Sequence, residues 1–214
     1  MSGWSGNMQY RYDVINYLIE QNNYKSYLEI GVRKPSGCFN KINADTKVAV
    51  DPKFAATPSG ANTTAFEVTS DVFFETWAEH GTGFDIIFID GLHVYEQVDK
   101  DIVNSLNALN EGGCIVLHDC NPAEEWHQRP LEEYAGSGTW NGTTWKAFVK
   151  HRSNPNLTMM TVDIDYGIGY IKKGSQEPLF IPESNMSWLN FDINRKEWLN
   201  LKTVKQFKNA IEAD

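Results

Sequence analysis

Residues 84–97 read FDIIFIDGLHVYEQ. An apolar run from Phe84 to Ile89 has the length of a buried strand; it stops at Asp90, Gly91 and His93, and a helical pattern begins at Val94. A charge buried without a partner is costly, so the ionisable pair belongs at the open end of the strand, where a ligand can reach it. Four more runs behave alike: SYLEIGV (26–32), TKVAVDP (46–52), TAFEVTS (64–70) and CIVLHD (114–119). Each is short, rich in β-branched or aromatic residues, and ends in polar or glycine chemistry.

Segments able to form helices lie between these runs. RYDVINYLIEQNN (11–23) spaces Val14, Ile15, Leu18 and Ile19 helically, and HVYEQVDKDIVNSLNALNEGG (93–113) puts Val94, Val98, Ile102, Leu106 and Leu109 on one face. Gly112-Gly113 reads as the C-terminal cap of that second helix. Strands alternating with helices imply βαβ units and a parallel sheet covered on both faces. Such sheets bind ligands beyond the carboxyl ends of their strands. That rule selects Glu29 and Gly31, Asp51, Ser70 and Asp71, Asp90 and Gly91, and His118 and Asp119.

Beyond residue 120 the pattern changes. NPAEEWHQRPLEEYAGSGTWNGTTW (121–145) has little periodicity and holds Trp126, His127, Arg129, Trp140, Asn141 and Trp145, as expected of an insertion that covers a site. NLTMMTVDIDYGIGYIKKG (156–174) reads as two strands turning at Asp165-Tyr166-Gly167, an antiparallel hairpin. The last stretch, 187–214, is helical in tendency. The expected fold is therefore α/β, a Rossmann-like doubly wound, mostly parallel sheet with an antiparallel C-terminal hairpin. It occupies residues 1–174, with 121–145 as the substrate-covering insertion and 175–214 as a helical extension.

Composition narrows the function. At 214 residues, 41% hydrophobic and 22% charged, the chain suits a globular domain. It has no apolar run near the roughly 18 residues of a membrane span, and MSGWSGNMQYRYD lacks the basic and apolar blocks of a secretory leader. With three cysteines and no CxxC spacing, reduced thiols and a cytoplasmic setting are expected. A formal net charge of −9 and a pI near 5.0 oppose nucleic-acid binding, which rests on clustered Lys and Arg. A small-molecule substrate is expected instead, and the tail around Asn194-Arg195-Lys196 either packs on the body or meets another subunit as a homo-oligomer.

The first turn, YLEIGVRKPSGCFNKI (27–42), lacks the G-x-G-x-x-G spacing that cradles a pyrophosphate. Gly31 stands alone, with Arg33, Lys34 and Pro35 filling the turn, which disfavours a nicotinamide dinucleotide. A nucleoside without that cradle still needs a ribose acceptor. Asp51, about 20 residues after Gly31, stands where a carboxylate reaches ribose hydroxyls; the competing role is a turn residue before Pro52.

YLEIGV, VAVDP, FEVTSDVFF, FDIIFIDGLH and GGCIVLHDCNP, in this order, resemble the class I S-adenosylmethionine-dependent methyltransferases, in particular a small group with an IDG-x-H motif after the fourth strand and an HD motif after the fifth. The resemblance covers residues 24–173. It implies that Glu29 and Gly31 meet the methionine part of the cofactor, Asp51 the ribose and Ser70-Asp71 the adenine amino group, with Asp90, Gly91 and His93 bordering the sulfonium and the acceptor. The RKPS stretch departs from the family's second glycine. WNGTTWKAFVKHR and VDIDYGIGYI resemble methyltransferases of glycan pathways, which points to O-methylation of a sugar-like acceptor.

Methyl transfer from a sulfonium needs an acceptor oxygen in line and help with its proton. His93, His118 and Asp119 are the catalytic candidates, an imidazole being the group that titrates near neutrality; the competing role for either histidine is a surface or helix-capping residue. Asp90, His118 and Asp119 also form a candidate site for Mg²⁺ or Mn²⁺. Two other functions share this sheet: an NAD(P)-dependent oxidoreductase and a non-catalytic nucleoside-binding protein.

Overall fold

The computed structural model describes residues 7–77 and 82–213; residues 1–6 of the N-terminal stretch read above lie outside them. The helices are α1 (Arg11–Asn22), α2 (Ser70–Trp77), α3 (Tyr95–Ala108), α4 (Thr144–His151), α5 (Trp188–Trp198) and α6 (Val204–Glu212). The strands are β1 (Ser26–Ile30), β2 (Thr46–Val50), β3 (Thr63–Phe66), β4 (Phe84–Ile89), β5 (Leu109–Leu117), β6 (Leu157–Val162), β7 (Ile168–Lys173) and β8 (Leu201–Lys202). The described residues fall into two compact units, one within 1–91 and 101–116 and the other within 92–100 and 117–214.

In the first unit the strand order is β3-β2-β1-β4-β5. β1 pairs in parallel with β2 and β4, and β2 in parallel with β3. The order reverses at β1, and such a switch point opens a crevice at the carboxyl ends of the strands. Register makes those ends level: Ile30 lies opposite both Val50 and Ile89. Gly31, Asp51 and Asp90 therefore leave the sheet side by side. Continuous apolar runs are what a sheet buried on both faces requires, and Leu28, Ile86, Ile87 and Phe88 have no exposed surface. From α1, the fully buried Val14, Ile15 and Leu18 each contribute about 1.5–3 kcal/mol of apolar burial.

The helix before β5 ends earlier than the sequence suggests. Ala108 closes α3, and Leu109 already belongs to β5, so Gly112-Gly113 is strand, not a helix cap. The physical reason is close approach: a Cβ on Gly113 would stand 2.8 Å from the Asp85 carbonyl oxygen.

The second unit contains the expected hairpin, β6 antiparallel to β7. Its core gathers Trp145 of α4 against Phe191 of α5, ring centroids 4.2 Å apart, with Trp198 next to them. The tail is not wholly helical, for β8 pairs in parallel with β6. No helix among the described residues is long and apolar enough to cross a membrane.

Candidate active site

In the first unit the site begins with the close approach of two strand ends. The Asp90 amide donates to the Ile30 carbonyl at 2.8 Å and the Gly31 amide to that of Val50 at 2.8 Å. Gly31 has φ +92, and a Cβ there would lie 2.2 Å from the Asp90 carbonyl oxygen. Only glycine permits both the backbone angle and the contact, so the lone Gly31 serves the meeting of β1 and β4.

Asp51, 7% exposed, accepts from the Arg33 amide at 2.9 Å and the Lys53 amide at 2.7 Å. Arg33 has φ 31, a left-handed conformation unusual for its type. Asp51 thus fixes the turn after β1 as well as its own. Each carboxylate oxygen has further acceptor capacity, so the turn-holding and ribose roles are compatible. Ser70 and Asp71 open α2.

Glu29 and Tyr27 are two residues apart on β1 and share a face of the sheet. The Tyr27 hydroxyl donates to Glu29 Oε2. Burial pushes the Glu29 carboxyl from 4.5 to about 8, with the hydrogen bond from Tyr27 opposing the rise. The folded protein therefore holds a proton that the unfolded chain releases above about 4.5. Its stabilising contribution is present below that pH and is lost as pH rises through about 8. Replacing Glu29 with Gln is expected to flatten this dependence: between pH 5 and 8 the wild-type apoprotein loses up to roughly 1.4 kcal/mol per pH unit relative to Glu29→Gln. Melting curves across that range measure the difference, and parallel curves would refute a proton on Glu29.

At the end of β4, Asp90 accepts from Arg11 Nη1 at 2.6 Å. Nothing local in the sequence marks this pair, which joins residues 79 apart.

In the second unit the chemistry converges on Asp119. It is 5% exposed and has φ 61. The next two residues hold it there: the Cys120 amide donates to the Gly167 carbonyl at 3.0 Å and the Asn121 amide to that of Tyr166 at 2.7 Å. Left-handed backbone on a non-glycine residue is strain that its surroundings must sustain, and it gathers at functional sites. Asp119 Oδ1 accepts from Asn141 Nδ2 and stands 3.1 Å from His118 Nδ1, while Oδ2 lies 3.1 Å from His93 Nδ1.

The two histidines differ. His93 Nδ1 is also 3.1 Å from the Trp140 carbonyl oxygen. Both neighbours are acceptors, so Nδ1 carries the hydrogen and the basic lone pair falls on Nε2. His118 is 4% exposed and lies between carboxylates, with Nε2 3.6 Å from Asp165 Oδ1. It links the end of β5 to the hairpin turn, where Asp165, Tyr166 and Gly167 are all left-handed.

Residues 121–143 build around His93. Trp140 stacks between His93, at 5.4 Å, and Tyr134, at 4.6 Å, and its indole donates to the Arg129 carbonyl. Gly142 passes so close to His93 that a Cβ would clash with its carbonyl oxygen at 2.0 Å. Trp140 and Trp145 are both occupied with packing. Trp126, 59% exposed, and Tyr166, 42% exposed, are the aromatics open to solvent here. Arg11, Tyr27 and Asp165 are the site residues that the sequence does not mark; Asn141, expected as a residue of the covering insertion, donates to Asp119.

Residues 28–120 match a family model described as a methyltransferase domain. No curated protein matches the sequence. In fold the chain is similar to SAH-bound PaMTH1, a methyltransferase of Podospora anserina, at 16% identity and TM-score 0.55, with 78% of this chain and 80% of that one covered. It is also similar to an O-methyltransferase of Bacillus cereus in complex with SAH, at 11% identity and TM-score 0.52, covering 81% and 84%. A third likeness is to MycE of the mycinamycin biosynthetic pathway, in complex with Mg, SAH and mycinamycin VI, at 15% identity and TM-score 0.52. The alignment covers 80% of this chain and 51% of MycE, so the chain spans about half the length of that protein. With its parallel sheet and level strand ends, the chain shares the fold of these solved methyltransferases, and its stretch 28–120 is similar to a methyltransferase domain.

Proposed function

We propose that this chain transfers the methyl group of S-adenosylmethionine to a hydroxyl of a small polar, sugar-like acceptor, with His93 as the base. When bound, the cofactor supplies a methyl group already activated on a sulfonium. The residues of the first unit suit such a ligand: Asp51 is an acceptor for the ribose, Asp90 for the cationic ammonium and sulfonium end, with Glu29 beside it, and the turn after β1 lacks a phosphate cradle. The observation that carries the reading is the pair of acceptors, Asp119 Oδ2 and the Trp140 carbonyl, beside His93 Nδ1. That arrangement leaves Nε2 to take the acceptor's proton, and Asp119 then stabilises the imidazolium. Asn141 and His118 hold Asp119, so His118 acts as support for the carboxylate, not as the base.

For the acceptor, support comes from the 121–145 insertion. Trp126 offers an exposed ring with the Arg129 guanidinium 4.6 Å from its centroid, an apolar face beside polar donors of the kind that sugar and aromatic rings use. The buried Cys38, Cys114 and Cys120, none of them in a disulfide, accord with the cytoplasmic setting that belongs to this proposal. A thermal-shift panel with S-adenosylmethionine, S-adenosylhomocysteine, NAD and NADP tests the cofactor, since bound ligand stabilises by RT ln(1 + [L]/Kd). Shifts with the first two alone are expected; a shift with NAD or NADP alone would favour an oxidoreductase. Binding without turnover of any hydroxyl acceptor would favour a nucleoside-binding protein.

A second reading places Mg²⁺ or Mn²⁺ on Asp119, a hard oxygen donor suited to it, and MycE is a Mg complex. With His118 held between Asp119 and Asp165, the imidazole available to that reading is His93, whose Nδ1 would then have to give up its hydrogen. The metal-free base predicts that EDTA followed by desalting leaves methyl transfer within about twofold. A loss restored by Mg²⁺ or Mn²⁺ would establish the metal reading instead.

A further inference from the structure

The ion pair Arg11–Asp90 leads from the cofactor reading to one more residue. The acidic groups of the first unit account for the cations and hydroxyls of S-adenosylmethionine, but the methionine end of that ligand also bears a carboxylate. Asp51 and Asp90 oppose a carboxylate, and Glu29, which keeps its proton near neutral pH, offers it no counter-charge. Arg11 is the guanidinium that an ion pair brings to this strand end, with Nη1 2.6 Å from Asp90 Oδ2. Resting on the cofactor reading above, we propose that Arg11 binds the carboxylate of the cofactor's methionine moiety, and so distinguishes the intact amino-acid cofactor from nucleosides that lack it.

Several features make Arg11 suitable. It opens α1, and α1 is pinned: Asn16 Nδ2 donates to the Lys41 carbonyl at 2.8 Å, and Asn16 Oδ1 accepts from the Asn43 amide at 2.9 Å. The start of the helix is fixed as well, by Asp13 accepting from the amides of Gln9 and Tyr10 at 2.9 Å each. A fixed helix start lowers the entropy lost when a long side chain grips a ligand. The Arg11 side chain is 26% exposed and that of Asp90 16%, so the pair remains within reach of solvent. A guanidinium carries five N–H donors in a planar fork and matches carboxylates bidentately, which allows it to serve Asp90 and a second carboxylate together.

Charge balance favours the same exchange. Glu29 keeps its proton near neutral pH, and both Arg11 and Asp90 act on its charge, Asp90 raising its pKa and Arg11 lowering it. The three groups thus share one electrostatic neighbourhood in which Arg11 offsets Asp90. A zwitterionic amino-acid head adds one positive and one negative group. With its ammonium toward Asp90 and its carboxylate toward Arg11, it enters without leaving either charge unmatched.

The test is calorimetric titration of S-adenosylhomocysteine and of its decarboxylated amine, S-(5′-deoxyadenosyl)-3-thiopropylamine, into wild type, Arg11→Met and Arg11→Lys. Wild type is expected to prefer S-adenosylhomocysteine. Arg11→Met should weaken that ligand by about 10- to 100-fold, the range for hydrogen bonds to charged groups, and leave the amine within about twofold. Arg11→Lys, which keeps the charge and loses the fork, should fall between; it carries the comparison if the Met variant fails to fold. Equal losses for both ligands would overturn the proposal and reduce Arg11 to a support for Asp90, and unchanged affinities would overturn it outright. Wild type that binds neither ligand would overturn the cofactor reading itself, and with it this role for Arg11.

Discussion

Asp119→Asn is expected to lower methyl transfer by roughly 10²- to 10⁴-fold, the usual worth of a positioned general base, while S-adenosylhomocysteine affinity stays within about threefold. The change keeps the shape of the side chain and removes its charge. In the native protein Asp119 Oδ2 faces His93 Nδ1 at 3.1 Å, which fixes the tautomer and provides a counter-charge once the ring takes a proton. An amide that turns its NH₂ toward His93 would place the hydrogen on the opposite nitrogen and occupy the lone pair the reaction needs. Cofactor affinity is expected to be spared because the contacts of Asp119 are to His93, His118 and Asn141, whereas the proposed cofactor partners are Glu29, Asp51 and Asp90. Turnover is read as release of S-adenosylhomocysteine with the first acceptor returned by a screen of sugar and phenolic hydroxyls, and affinity is read by calorimetry. Parallel losses in both would show that Asp119 supports the cofactor instead of the base. His118→Gln is the useful companion: support for Asp119 predicts a smaller loss than that of His93→Gln, and the reverse ranking would return the base role to His118.

The sheet was legible because its information is local. Each apolar run ends in polar or glycine residues, and the parallel register of β1 with β2 and β4 brings Gly31, Asp51 and Asp90 to one level, as expected when a two-residue periodicity is replaced by continuous burial. The failures were of two kinds. Leu109 continued the apolar face of α3 in sequence, yet it starts β5, since a single position at a boundary satisfies both periods. β8 has two residues, too few to show any period. In the site, Asp90, His93 and Asp119 announce themselves as polar residues after apolar strands. Their partners do not: Asn141 reaches Asp119 across 22 positions and Arg11 reaches Asp90 across 79. A lone arginine at a helix start looks like a surface residue until the fold closes, and Asn141, marked in sequence only as part of the covering insertion, gives no sign of its partner. His93 and His118 look alike in the sequence, and what sets them apart in the fold is neighbours from elsewhere, Trp140 for one and Asp165 for the other.

Asp51→Ala is expected to weaken S-adenosylhomocysteine by about 10²-fold or more. A carboxylate that accepts from both hydroxyls of a ribose makes two charge-assisted hydrogen bonds, each worth about 1.5–3 kcal/mol, and a factor of ten in affinity is about 1.4 kcal/mol. The same substitution frees the amides of Arg33 and Lys53, which Asp51 now accepts. The left-handed turn at Arg33 then loses its anchor, so the melting temperature should also fall. The two consequences separate with a second ligand. Against 2′,3′-dideoxy-S-adenosylhomocysteine the wild-type protein should lose most of its affinity, whereas Asp51→Ala, having no acceptor left to lose, should bind the two ligands about equally. If Asp51 only holds the turn, wild type and variant would show the same ratio between the ligands, whatever the fall in stability. Unchanged calorimetric affinity of Asp51→Ala for S-adenosylhomocysteine would remove Asp51 from the ribose site altogether.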